Sequence, residues 1–167
     1  MWPRAEPIET QRLLLAPLRV QDADEMSVLL DDASLHEFTG GLPDTADRLR
    51  ARYAVDDRGW LNWAVRLRAT GEAVGTVQAT LSREGERLCA TLAWVVAAGH
   101  QRNGYAREAA AAMAAWLRSR GVDVLIAHVH PGHAASIGVA RHLGLTPGAA
   151  GDHGEIRWEL SRRTASG

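Results

Sequence analysis

The strongest constraint in the chain is a change of period at its middle. "WLNWAVRLR" (60–68) and "AVGTVQATLS" (73–82) are joined by "TGE" (70–72), and "EGE" (84–86) leads into "LCATLAWVV" (88–96). Alternation turns one face of each run inward, and turns this short join neighbouring antiparallel strands. The period then becomes helical. "GHQRNGYA" is a glycine-bearing loop, a helix follows from about 104 to 120, and "VDVLIAHVH" (122–130) is the next strand. A strand, a helix and a strand in succession form a crossover. The fold must therefore join an antiparallel meander to a β-α-β crossover.

The flanks add the remaining pieces. "RLLLAPL" (12–18) reads as a strand whose Pro17 marks an edge or a bend. "DADEMSVLLDD" (22–32) is a helix with Met26, Leu29 and Leu30 on one face, and "DTADRLRARYAVDD" (44–57) is a second, capped by Asp44 or Thr45. The alanines of "EAAAAMAAW" (108–116) predict a helix packed closely against its neighbour. "AASIGVARHLG" (134–144) is a short helix stopped by Gly144, and "EIRWELS" (155–161) is the last strand. The expected order is β-α-α-β-β-β-α-β-α-β, a mixed α/β arrangement in a single domain over 1–167.

Composition narrows the function classes. The net charge of −1 gives no global electrostatic case for nucleic acid. No apolar run approaches the roughly 18 residues of a membrane span, and "MWPRAEPIETQRL" has no apolar leader core, so a cytoplasmic protein is expected. Cys89 is the one cysteine, which excludes an internal disulfide. All 19 basic residues are arginine, which reads as codon usage and leaves no lysine ε-amine for self-acylation.

The loop between meander and helix carries the chemistry. Gly104 permits a tight turn and a close approach to a ligand. Gln101, Arg102, Asn103, Gly104, Tyr105 and Ala106 run into a helix N-terminus, where unpaired N–H groups and the dipole favour an anion. Ala106 keeps the junction small, and Arg102 and Arg107 add charge suited to phosphate. Taken alone, such a loop is equally a tight turn that binds nothing, since short glycine motifs recur by chance. Neither the G-x-x-x-x-G-K-[ST] loop nor the G-x-G-x-x-G fingerprint is present.

"QRNGYA" resembles the Q/R-x-x-G-x-G/A pyrophosphate loop of GNAT-superfamily N-acetyltransferases. "IETQRLLLAPL" (8–18) is similar to the T-x-R-L-x-L-R-P opening of the branch that acetylates ribosomal-protein N-termini. "VGTVQATL" (74–81) resembles that branch's glycine-bearing third strand, and "LAWVVAAGHQRNGYAREA" (92–109) its fourth strand, loop and helix. "VHPGHAASIGVARHLGL" (129–145) resembles its V-x-x-x-N-x-x-S-x-x-v-x-x-x-l-G-F segment, so the likeness spans about 8–160.

The resemblance implies a mixed, mostly antiparallel central sheet of about six to seven strands, a splayed parallel pair at the cofactor cleft and about four helices. It implies acetyl-CoA as cosubstrate, no metal, and transfer by direct attack of a primary amine in a ternary complex. The acceptor would be a protein or peptide N-terminus or a small-molecule amine, and the chain a monomer or homodimer. Backbone groups of Trp94, Val95 and Val96 would pair with the pantetheine. The Val96 amide would polarise the thioester carbonyl, a contribution of roughly 2.7–4 kcal/mol in other oxyanion holes. N–H groups from Arg102 to Ala106 would hold the pyrophosphate. Ser136 would donate to the leaving thiolate, against the simpler reading of a serine satisfying its helix's first turn.

Three departures follow. His133 stands where the family has an asparagine that contacts pantetheine, and histidine can still make one such bond. Thr91 stands where the fourth strand often carries a glutamate base. Leu145 replaces a phenylalanine and reads as core. For the acceptor pocket, the resemblance points to His36 and Glu37 in "LHEFTGG", which otherwise read as solvated loop residues. Asp22, Asp24, Asp31 and Asp32 would offer charge to a cationic amine or form a solvated face. Trp60 and Trp63 read as core, while Trp94 would edge the cofactor cleft.

Two other readings compete. His128, His130 and His133 have the H-x-H-x-x-H spacing of a zinc hydrolase, but Gly132 stands where the metallo-β-lactamase motif needs an aspartate. A non-catalytic acyl-CoA-binding or regulatory module of the same fold would bind CoA and release no thiol with any amine.

Overall fold

A computed structural model describes residues 2–36, 43–55, 59–151 and 154–162. Eight strands form one sheet: β1 (Ile8–Glu9), β2 (Leu13–Pro17), β3 (Trp60–Leu67), β4 (Ala73–Glu84), β5 (Arg87–Val96), β6 (Val124–Val129), β7 (Thr146–Ala150) and β8 (Ile156–Ser161). Their spatial order is β1-β2-β3-β4-β5-β6-β8-β7, antiparallel throughout except for the β5–β6 pair. Four α-helices are seen among the described residues: α1 (Ala23–Leu29), α2 (Ala46–Tyr53), α3 (Tyr105–Ser119) and α4 (Ala134–His142).

The expected elements are present, with two strands more. β1 is two residues long and pairs only with Leu14 and Leu15. β7, "TPGAA", is exposed along its length and pairs with β8 alone. Neither has an alternating pattern, because an edge strand with an open face has nothing to alternate against, and Pro147 is tolerated there. α1 is shorter than the acidic segment that contains it, and the turn Val20–Asp22 precedes it. Asp22 is buried. It accepts from the Arg19 amide at 2.9 Å and the Arg19 guanidinium at 3.0 Å, with Arg66 at 3.5 Å. It is thus an internal anchor and not part of a solvated acidic face.

Helix ends follow local chemistry. Thr45, not Asp44, caps α2, accepting from the Arg48 amide at 3.3 Å. α3 and α4 both end in Schellman motifs. Gly121 (φ 91°) carries the bonds Gly121 N–H to Arg118 and Val122 N–H to Leu117, and Gly144 (φ 84°) the matching pair to Arg141 and Ala140.

The core lies mainly between the sheet and α3. Ala109, Met113, Ala114 and Leu117 bury one stripe of α3 against Leu13, Leu61, Trp63, Val77, Leu92 and Leu125. The small alanines bring helix and sheet close, as the alanine run predicts. Trp63 meets Trp116 edge-on at 5.5 Å and donates to the Glu6 carbonyl at 2.8 Å. On the opposite face α1 and α2 bury Ala23, Met26 and Leu49 with Ala64 and Ala73.

Thr10 and Arg12 tie the first hairpin to α3. Glu108 accepts from the Thr10 hydroxyl at 2.5 Å, the Arg12 amide at 3.1 Å and Arg12 Nε at 2.7 Å. Burial alone would raise the Glu108 carboxyl; the bonds from Thr10 and Arg12 outweigh it and hold the carboxyl below its ordinary range. The T-x-R opening of the chain therefore has a structural role.

Candidate functional site

β5 and β6 pair over only three positions, Cys89 with Val124, Ala90 with Leu125 and Thr91 with Ile126. β5 runs on to Val96 and β6 to Val129, so their ends splay. Thr91 is the last rung before the gap, so the sequence position without a glutamate sits at the fork.

The direction of the β5 backbone in the gap follows from its bonds. Leu88 bonds towards β6, since its N–H and carbonyl both engage Asp123. Ala97 bonds towards β4, donating to Val74 at 2.8 Å. Strand polar groups alternate sides, so Trp94 and Val96 direct their N–H groups away from β4 and into the splay. Backbone groups in such a position call for a partner. Gly75 faces this turn of β5, where a Cβ would lie 2.1 Å from the Val95 carbonyl oxygen. Only glycine lets β4 and β5 approach so closely, which explains the glycine in "VGTVQATL".

Above the splay lies the expected loop. Arg102 (φ 66°) and Gly104 (φ 79°) are both left-handed, and Arg102 is the sole non-glycine residue of that kind among the described residues. A loop holding a non-glycine residue at positive φ is built for a shape. Gln101 donates to the Val96 carbonyl at 3.0 Å, and Asn103 to the His100 carbonyl at 3.0 Å, so these side chains brace the loop. Gly104 is the N-cap of α3 and no side chain caps the helix. The first helical bond is Glu108 N–H to Gly104, which leaves the N–H groups of Tyr105, Ala106 and Arg107 to face the loop. Glu108, the acid of this first turn, is drawn to Thr10 and Arg12. Arg12 in turn lies over the Tyr105 ring at 4.7 Å. The Arg107 guanidinium packs at α4, where a Cβ on Gly138 would meet it at 2.9 Å. The result is a cationic notch with three backbone donors beside the open edge of β5.

Across the splay, the Trp94 indole donates to Ser136 Oγ at 3.3 Å, and His133 Nε2 lies 3.5 Å from the same oxygen. His133 is the N-cap residue of α4. The structure thus brings Trp94, His133 and Ser136 together. His130 turns elsewhere, since its Nδ1 accepts from the Gly132 amide at 2.9 Å and shapes the turn. His128 is an exposed strand residue opposite Arg157. Among the described residues no group of three His, Cys, Asp or Glu side chains could hold a metal ion.

The α1/α2 face holds a cavity of about 230 Å³. Its floor is a patch of cross-strand neighbours: Asn62, Gln78 and Ala93 in one row, Thr76 and Val95 in the next. Leu30, Leu35, Leu49 and Tyr53 form the roof. Asp44 and Arg52 join them as an ion pair with 2.9 Å between Oδ2 and Nη2. Burial, and then the nearby Asp44 and Asp22, push the Tyr53 phenol up against the opposing Arg52, so it stays protonated. Trp94 and Val95 also border the cavity, so it opens on the same stretch of β5 as the splay. A smaller cavity of about 110 Å³ shares Tyr53 and Asn62 and includes Trp60.

Sequence reasoning missed Asp44, Arg52, Asn62, Thr76 and Gln78 as wall residues. The alternation in β3 and β4 held a weak signal, since polar residues recur on a face that helices cover. Glu37 and the His36 side chain lie outside the described residues; Leu35, beside His36, lines the cavity.

The same architecture occurs in solved structures. A GNAT-family acetyltransferase from Bacillus anthracis superposes with a TM-score of 0.79 at 19% identity, covering 93% of this chain and 98% of that one. A ribosomal-protein-S5-alanine acetyltransferase from Vibrio fischeri gives 0.78 at 14% identity, over 95% and 97%. A spermidine N-acetyltransferase from Vibrio cholerae, solved with CoA and spermine, gives 0.78 at 16% identity, over 92% and 97%. These identities carry the fold alone. A search of curated proteins gives no match. The sequence model of the acetyltransferase (GNAT) domain matches residues 12–146, from the strand that clamps α3 to the start of β7. The chain therefore belongs to the GNAT acetyltransferase family.

Proposed function

We propose that the chain is an acetyl-CoA-dependent N-acetyltransferase that moves an acetyl group to a primary amine, on a peptide N-terminus or a small molecule, by direct attack in a ternary complex. One observation carries the reading: the splay of β5 from β6 opens the Trp94 and Val96 backbone edge directly below a left-handed loop and an uncapped helix N-terminus. An extended chain ending in a phosphate group matches that pair of features.

Residues 102–106 and Arg107 would take the pyrophosphate through backbone N–H groups and charge. Trp94, Val95 and Val96 would hold the pantetheine as an added strand. Bound acetyl-CoA supplies a thioester whose acyl carbon the amine nitrogen attacks, forming C–N as C–S breaks. The Val96 N–H would meet the carbonyl oxygen as it gains charge. The acceptor enters from the α1/α2 face, where Asp44 steadies its ammonium and water carries its proton to solvent. Ser136, oriented by Trp94, donates to the departing sulfur, and His133 supports Ser136 or the cofactor.

The test is isothermal titration with CoA together with free-thiol release over an amine and peptide panel. Gly104→Val should lose CoA binding, because a β-branched residue resists positive φ and Gly104 borders the donors. Undiminished affinity in a folded G104V variant would refute the cofactor assignment. CoA binding with no thiol release from any amine would instead support the non-catalytic reading.

A further inference from the structure

We infer that the acceptor is a small amine that also carries a carboxylate, of the α-amino-acid type with an apolar side chain, and that Arg52 selects it. The inference rests on the acetyl-transfer reading, since the cavity is an acceptor site only if the thioester lies in the splay.

Charge complementarity decides the class. Among the described residues that line the cavity, the charged side chains are Asp44 and Arg52, one of each sign, held 2.9 Å apart. A polyamine would bring several positive charges to a single carboxylate that a guanidinium already shares. A plain monoamine would match Asp44 and leave Arg52 facing its alkyl group. A molecule with ammonium and carboxylate two bonds apart complements both partners at once. Arg52 is the better recogniser of the two, because a guanidinium presents five N–H donors in a planar fork and Asp44 engages one edge of it. Its side chain is half exposed, against a quarter for Asp44, and it lines the cavity.

The rest of the wall sets size and polarity. Leu30, Leu35 and Leu49 form an apolar roof that suits an aliphatic or aromatic side chain. At about 230 Å³ the cavity falls below the roughly 300–1,000 Å³ of drug-sized sites, so it fits one amino acid better than a folded oligoamine. Asn62, Thr76 and Gln78 leave neutral donors and acceptors on the floor. Asp44 lies just before the N-cap of α2 and Arg52 in its last turn, so one short helix sets the spacing of both charges.

The experiment compares leucine, methionine and phenylalanine, each beside its amide and its decarboxylated amine, with spermidine as a polycation, by thiol release from acetyl-CoA. The amides are a demanding control: they keep the α-amine and side chain, and their amine loses its proton more readily. The free amino acids should lead in kcat/KM by about tenfold or more. Arg52→Met should cut that value about tenfold, chiefly through KM, and cost the amides clearly less; Arg52→Lys should restore part of the loss. Equal or better turnover of amides, decarboxylated amines or spermidine would overturn the inference. So would an R52M loss shared equally by all acceptors. If R52M does not fold, the wild-type panel and R52K decide the matter. CoA binding without acetylation of any carboxylate-bearing amine overturns this inference alone, whereas no CoA binding by the wild-type chain overturns the acetyl-transfer reading beneath it.

Discussion

Replacing Glu108 with alanine tests whether the opening T-x-R segment is a structural clamp. Three bonds end on this carboxylate: Thr10 Oγ1 at 2.5 Å, Arg12 Nε at 2.7 Å and the Arg12 amide at 3.1 Å. A bond to a charged group is worth about 1.5–3 kcal/mol at best. The Arg12 side chain is 45% exposed, so its ion pair contributes little after solvent screening, on the order of 0.5 kcal/mol. The Thr10 hydroxyl bond is half-buried and better sheltered, whereas the Arg12 amide bond is exposed and water replaces part of it. The expected loss is about 2–3 kcal/mol at pH 7, or about 5–10 °C in Tm for a chain of this size. The sign of the pH dependence is set by the lowered Glu108 carboxyl. Its stabilisation is present above the unfolded carboxyl's value, near 4.3, and fades as pH falls through the lower folded one. Urea unfolding of wild type and E108A at pH 7 and at successively lower pH should show the gap close below about pH 4. A loss under about 0.5 kcal/mol at pH 7 would refute the clamp. A gap that stays constant down to pH 3 would refute the electrostatic part.

Gly75→Ala places a methyl 2.1 Å from the Val95 carbonyl oxygen, and backbone cannot step aside as a side-chain tip can. It should cost about 1–3 kcal/mol in denaturant titration and lower CoA affinity as the β5 edge shifts. Ser136→Ala should lower kcat about 10- to 100-fold with CoA affinity nearly unchanged, the size expected for one bond to a developing charge. Trp94→Phe keeps an aromatic ring, though a smaller one, and removes the indole donor to Ser136, so single-turnover rates should fall by less than in S136A. His128→Ala should leave both thiol release and thermal stability unchanged, since that side chain is exposed on its strand.

Local signals were enough for much of this molecule. The meander from Trp60 to Val96, the long alanine helix, the stops at Gly121 and Gly144 and the phosphate-type loop are each written within a few consecutive residues. Period, turn chemistry and positive-φ glycine act over that range, so a reader of the chain can find them. The loop and the β5 edge on which the cofactor proposal rests were legible for the same reason, because Gln101 to Ala106 and Trp94 to Val96 are contiguous runs.

Tertiary structure decided everything that depends on residues meeting from afar. The family resemblance implied a splayed pair, but no local pattern marks Thr91 as its last rung, because a strand's departure from its neighbour is set by packing on both faces. The Glu108 clamp joins positions 96 and 98 residues apart, and the Trp94–Ser136 bond spans 42. Even the histidines of "HVHPGH" took their separate roles from their surroundings: a strand position for His128, a turn for His130 and a place beside Ser136 for His133. The cavity is the clearest case. Its floor comes from three strands and its ion pair from the two ends of α2, and such convergence is fixed only when the sheet is laid down and the helix packs on it.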